Sequence, residues 1–337
     1  MFRAGVCALS FMAIGLWLAA AAPARADECG PAPAPDAALL AAPDVREARS
    51  EARQNFANAS GRLYRIDTEP PSYLVGTFHL GGAGLGEPGP LIEEMVDGAS
   101  AVLLELDEKT VQISIGEMAL NPSRILRKDG RKFTDQMDAG ERDRARKILA
   151  EFNLTLDEAE LLRPGFIAAL LSLPPCVSNA WPPIPGLDVR IEYLARERDI
   201  PAYALETIDE QFEALLGDDD SKGDRLLRAF LPYADASADM LHVLRALYRG
   251  GEVAAIWTLA MNKVDDVIGE AERNQLAAEI WDDLVVKRNR RMLERAMPYL
   301  ERGGAVIAVG ALHLVGKEGL VELLREAGFT VTAIPDG

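Results

Sequence analysis

Histidine is scarce in this chain, with three among 337 residues, so each one present is worth locating. Basic residues are also short, 36 against 53 acidic, for a formal charge of −17. That balance repels phosphate backbones and anionic lipid, and argues against nucleic acid or an anionic membrane as partner. An acidic surface also keeps an exported protein soluble, and by itself names no substrate. Beyond the N-terminus no apolar run approaches the ~20 residues that span a bilayer, so no stable membrane span is expected in the mature chain. No repeat of solenoid period is present. The glycine-rich stretch Gly81-Gly82-Ala83-Gly84-Leu85-Gly86 lacks the Lys-Ser/Thr ending of a phosphate loop. It reads as a flexible loop beside His79, either a gate or a simple turn.

What is present begins with an export signal. Arg3 gives a positive start, Ala4 to Ala22 is apolar, and Ala24-Arg25-Ala26 supplies small residues at a cleavage site before Asp27. Residues 1–26 are therefore read as a signal peptide, with a retained membrane anchor as the alternative, and the mature protein is placed in the periplasm or outside the cell. Cleavage removes two basic residues and no acid, taking the charge from −17 to −19. Cys7 leaves with the signal, and Cys29 and Cys176 remain as an even pair in an oxidising compartment, where a disulfide is expected.

The remainder, 49% hydrophobic and 26% charged over the full chain, suits one large or two modest globular domains. Residues 27–60 read as a Pro/Ala-rich linker followed by a polar helix over Asp44–Ala59. Leu63–Ile66 and Ser72–Val75 resemble a hairpin around Pro70-Pro71. Further short apolar strands are expected at Ala101–Leu104, Ala202–Leu205, Ala305–Val309 and Thr330–Ile334, with helices between them at Pro90–Gly98, Val189–Arg198 and Glu318–Ala327. Strands separated by helices imply an α/β fold with a largely parallel central sheet and flanking helices. Residues 61–337 form this domain, and the helical text at about 111–180 and 211–275 reads as insertions or a cap.

Two of the three histidines share one local context. Tyr73-Leu74-Val75-Gly76-Thr77-Phe78-His79 and Val306-Ile307-Ala308-Val309-Gly310-Ala311-Leu312-His313 each run apolar strand, Gly, two residues, His. Such a histidine projects beyond the carboxyl edge of a parallel sheet, where ligands and catalytic groups gather. Glu105 follows four buried-type residues and belongs at the same edge, where a carboxylate must be paired, ligated or solvated. Two imidazoles and a carboxylate can hold a divalent transition metal with positions left for water and substrate. They can also act without metal as general acid and base, and Glu105 alone could simply pair with an arginine. His242, within an amphipathic helical stretch, reads as structural, and Trp181, Trp257 and Trp281 read as packing groups.

These residues resemble the TraB/GumN family, related to the Tiki proteins. The resemblance rests on Gly76-Thr77-Phe78-His79, Leu103-Leu104-Glu105, Gly186-Leu187-Asp188, Leu205-Glu206-Thr207 with Gln211, Arg288-Asn289, and the closing Val309 to Leu320, in order over about residues 61–337. It implies an α/β domain of the erythromycin-esterase and ChaN-like kind. It also implies metal-dependent cleavage of a peptide or amide bond, with His79, Glu105 and His313 as ligands or catalytic groups and the metal's identity open. Arg288 would stabilise developing negative charge, or be an ordinary helix-surface arginine. Glu206 would join the site or cap the next segment, and Asp188 stands beside it as a secondary candidate. The substrate expected is a peptide or small molecule. The alternatives are a non-catalytic protein that holds haem or a peptide signal at the same edge, and an accessory role in exopolysaccharide production.

Overall fold

The computed structural model describes residues 29–335 apart from 83, 121, 181–183 and 218. The signal-peptide reading of residues 1–26, and Trp181, lie outside the described residues. Six strands pair into one sheet: β1 (Leu63–Ile66), β2 (Ser72–Thr77), β3 (Ala101–Leu104), β4 (Ala202–Ala204), β5 (Ala305–Gly310) and β6 (Val331–Ile334), in the spatial order β4-β3-β5-β2-β1-β6. β4, β3, β5 and β2 are mutually parallel. β1 runs against β2 in the expected hairpin and against β6 on its other side. The fold is thus α/β with a mostly parallel sheet.

Every residue of β3 and β5 is buried, because helices cover both faces. Continuous apolar runs such as Ala101-Val102-Leu103-Leu104 need no polar alternation when neither face meets water. On one face Leu103, Ile307 and Val309 pack with Met292, Ala296 and Leu300 of the helix Lys287–Leu300 and with Val321 and Leu324 of the helix Leu320–Glu326. On the other, Val102, Leu104, Val306 and Ala308 meet Ile92 and Val96 of the helix Pro90–Asp97 and Ile191 and Leu194 of the helix Leu187–Glu197.

A separate helical body carries its own apolar cluster, including Leu149, Ile167, Leu171, Leu227 and Ile280. It is built from the helices Ala139–Glu151, Pro164–Leu171, Ser221–Phe230 and Glu270–Trp281, with Met261 and Val264 of the helix Val253–Ile268. The N-terminal helix Pro43–Asn55 buries Val45, Ala48 and Ala52 in a cluster with Val253, Ala254 and Ala255 of the helix Val253–Ile268. Its other side places Arg49 and Arg53 on Glu252. The stretch before it, read from the sequence as linker, contains a short helix at Asp36–Leu40. That helix is fixed by an ion pair from Asp36 to Arg249. Cys29 and Cys176 form the expected disulfide, which pins the start of the described chain to the helix Pro175–Ser178. Among the described residues no helix is long and apolar enough to cross a membrane.

Candidate functional site

The four parallel strands each deliver one polar residue just past the carboxyl end. In spatial order they are Glu206 after β4, Glu105 after β3, His313 after β5 and His79 after β2. β3 and β4 keep their ladder past the last strand residue through Glu206 N–H to the Glu105 carbonyl, 3.0 Å, which holds the two glutamates side by side.

The two histidines leave their strands differently. After β2 the chain runs on irregularly through Phe78, and the His79 side chain is 49% exposed. After β5 the chain closes into a helical turn, Ala311–Leu314, and His313 is only 4% exposed. Both rings nonetheless face one oxygen. Nε2 of His79 lies 3.7 Å and Nε2 of His313 3.5 Å from Glu105 Oε1. Each ring is fixed from its other nitrogen, His79 Nδ1 by Asp188 Oδ2 at 3.0 Å and His313 Nδ1 by Asn289 Oδ1 at 2.6 Å. Asn289 is held in turn, its amide donating to the carbonyls of His313 and Glu318. Asp188, the secondary candidate expected just before the helix at Val189, stands in the first turn of the helix Leu187–Glu197, where a negative charge suits the helix dipole.

Two glycines allow this convergence. A Cβ on Gly310 would stand 3.0 Å from His79 Nε2 and 3.1 Å from Glu105 Oε1, in the space the site uses. A Cβ on Gly186 would stand 2.4 Å from the His79 carbonyl, so only glycine lets the start of the Asp188 helix lie against His79. The glycine-rich stretch beside His79 is anchored at its start, where Leu80 bridges to Pro185, and folds back on itself in a bridge from Gly82 to Leu85.

Glu105 has both oxygens engaged. Gly310 N–H donates to Oε1 at 2.6 Å, and Arg288 Nη2 donates to Oε2 at 2.6 Å. Arg288 also grips Glu206, through Nη2 at 2.6 Å and Nε at 3.0 Å, and Gln211 reaches both carboxylates. Arg288 is therefore not a surface arginine, since its side chain is 11% exposed between two buried acids. A π-helical turn, Asp282–Val286, precedes it, and the Leu284 carbonyl in that turn accepts from Arg288 Nη1. Such turns recur at functional sites because they re-aim the following side chains.

The electrostatics separate the groups. Burial alone would raise the Glu105 carboxyl, but Arg288, both histidines and the Gly310 N–H hold it well below the usual carboxylate range. Burial and the Arg288 charge push His313 down to about 3, so it is neutral. Burial opposes protonation of His79 as well. Because that ring is half exposed, attraction to Asp188 and Glu105 decides the direction and lifts it to about 9.

Above this cluster opens a cavity of about 1310 Å³. His79, Arg288, Gly310 and His313 line its floor, and the helical body supplies walls such as Phe166, Leu226, Trp257 and Met261. Trp257, read from the sequence as a packing group, packs edge-on against Trp281 and also lines this cavity. His242 is buried in the helix Ser237–Arg249 and takes no part in the cluster.

As the side chains stand, no group of three or more His, Cys, Asp or Glu among the described residues is disposed to hold a metal. The donors are nevertheless of the right kind. Two ligands on a tetrahedral ion with bonds of about 2.0–2.1 Å stand roughly 3.4 Å apart. The 3.5 and 3.7 Å separations around Glu105 Oε1 exceed that by a few tenths of an ångström. Hydrogen bonds at the remote ring nitrogens, as on both histidines here, are what orient imidazole ligands on a metal.

Fold and site together define an α/β protein whose sheet edge carries a His-Glu-His cluster, braced by a buried arginine and opening into an apolar cavity. The chain belongs to the TraB/PrgY/gumN family, which it matches over residues 63–333. No curated protein and no solved structure matches it.

Proposed function

We propose that this chain is an exported, metal-dependent hydrolase of peptide or amide bonds, acting through His79, Glu105 and His313. The observation that carries the reading is the pair of imidazoles turned by separate Nδ1 partners onto one oxygen of Glu105. His79, Glu105 and His313 would hold a divalent transition metal, and when bound it would polarise a carbonyl and acidify water. Asp188 and Asn289 fix the ring orientations. Arg288 lines the cavity floor, and its role in this reading is to stabilise negative charge developing on a substrate oxygen. Glu206 positions Arg288 rather than touching substrate. Export rests on the character of residues 1–26, and the Cys29–Cys176 disulfide suits a periplasmic or extracellular setting.

A metal-free reading has one observation in its favour: Glu105 is already bound by Arg288 and by the Gly310 N–H. In that case His313 serves as the base, and His79, paired with Asp188, serves as the acid.

The test is metal analysis of the purified mature protein alongside hydrolysis of peptide and amide substrates. The expected result is one metal equivalent per chain, lost in His79→Ala and His313→Ala together with activity. Undiminished hydrolysis in both variants would sink the assignment. Full activity after chelation would replace the metal with the acid–base pair. Ligand uptake without turnover would favour a binding protein.

A further inference from the structure

The cavity above the His-Glu-His cluster has one polar end. Its volume, about 1310 Å³, exceeds the roughly 300–1,000 Å³ of ordinary small-molecule sites. Its walls are apolar side chains that belong to the core of the helical body yet stay only partly covered, among them Leu170, Leu215, Trp257, Ala260 and Leu284. Most polar side chains on those walls are already engaged within the protein. Asn153 bonds Asn179, and Ser172, Ser178 and Ser237 donate to carbonyls of their own turns. Lys222 is paired with Asp283, Lys263 with Asp44, and Arg245 donates to the Gly81 carbonyl.

At the floor the position is reversed. Besides the histidines and Arg288, Thr77 lines the cavity while its residue is only 2% exposed, and its hydroxyl has no partner among the described residues. Thr77 stands opposite Gly310 in the β2–β5 register, and the Gly310 N–H is the one that bonds the Glu105 oxygen.

A peptide threaded through such a space would bring an N–H and a C=O per residue, each costly to bury without a partner. A single alkyl chain brings none. We propose that the substrate is a long-chain acyl amide, its tail in the helical cavity and its carbonyl at the floor beside Thr77, His79 and His313. Water adds across the C–N bond: the acyl carbon takes the hydroxyl and becomes a fatty acid, and the leaving nitrogen takes the proton. This rests on the hydrolase reading above and specifies its substrate.

The experiment uses the full mature chain with a series of N-acyl aminocoumarin amides from two to sixteen carbons, and a fluorescent fatty acid as binding probe. Each methylene buried adds up to about fourfold to affinity. The expected kcat/KM therefore rises at least tenfold between six and fourteen carbons, and saturating fatty acid inhibits competitively. Ala260→Phe, which fills the wall, should shift the preferred chain length downward by several carbons. Should that variant fail to fold, competition between the probe and the fourteen-carbon amide on the unaltered protein reads the same site. A flat chain-length series, or apolar peptides cleaved in preference to acyl amides, would overturn the acyl assignment while leaving the hydrolase. Probe binding with no turnover of any amide would overturn the substrate role and, with it, the hydrolase.

Discussion

Replacing Arg288 with methionine removes the guanidinium that stands between two buried carboxylates and keeps much of its apolar stem. In the native protein Nη2 bonds Glu105 and Glu206 at 2.6 Å each, and Nε adds Glu206 at 3.0 Å. The side chains of Glu105 and Glu206 are 8% and 0% exposed, so water cannot replace the lost charge. Deleting one partner of a buried pair costs about 3–5 kcal/mol, because the other charge remains desolvated. At roughly 2 °C per kcal/mol for a chain of this size, the thermal midpoint should fall by about 6–10 °C at pH 7.5. The deficit should depend on pH. Against its burial, Arg288, the two histidines and the Gly310 N–H depress the folded-state Glu105 carboxyl, so its contribution is present above the unfolded value and lost on acidification. Without Arg288 the largest of the groups opposing burial is gone, so the same carboxyl takes up a proton more readily than in the parent, and the penalty is full at pH 7–8 and fades as pH falls towards 5. Scanning calorimetry in chelator at pH 7.5 and pH 5 reads both effects, and Glu206→Gln added to the variant should recover part of the loss. A variant within about 1 kcal/mol of the parent at pH 7.5, or an equal deficit at both pH values, would refute the reasoning.

Gly310→Ala tests the site's crowding apart from its stability. Gly310 has φ −50°, which alanine adopts freely, but the added methyl would meet His79 Nε2 and Glu105 Oε1 at 3.0 and 3.1 Å. Turnover of an amide substrate should fall about 100-fold with little change in the melting midpoint, and a fully active alanine variant would contradict the placement. Glu192→Gln tests a group outside the site. Burial lifts Glu192 to about 7 although the Glu108 N–H opposes the rise. Between about pH 4.5 and 7 the folded chain holds a proton that the unfolded chain has lost, so native stability falls as pH rises through that window. The amide variant should match the parent near pH 4.5 and exceed it above pH 7 in chemical denaturation; no gain at pH 8 would count against it.

The sequence alone determined the strands, the mostly parallel sheet and the edge on which His79, Glu105 and His313 stand. It could do so because an apolar run followed by a polar residue is a local pattern, and parallel pairing carries all such residues to one end. Glu206 was legible for the same reason. It did not determine that equal Gly-x-x-His motifs give unequal histidines. His313 is buried by a helical turn that packs under the cavity, and His79 is left half open to it. Nor did it reveal the employment of Arg288, which sits in a run of basic residues like any surface stretch. A π turn and two buried acids far away in sequence decide that role. The cavity was wholly illegible, because its walls look like any helical core until helices separated by more than a hundred residues leave space between them. Periodicity reports which side of an element is apolar, and only tertiary packing decides whether that side meets protein or ligand.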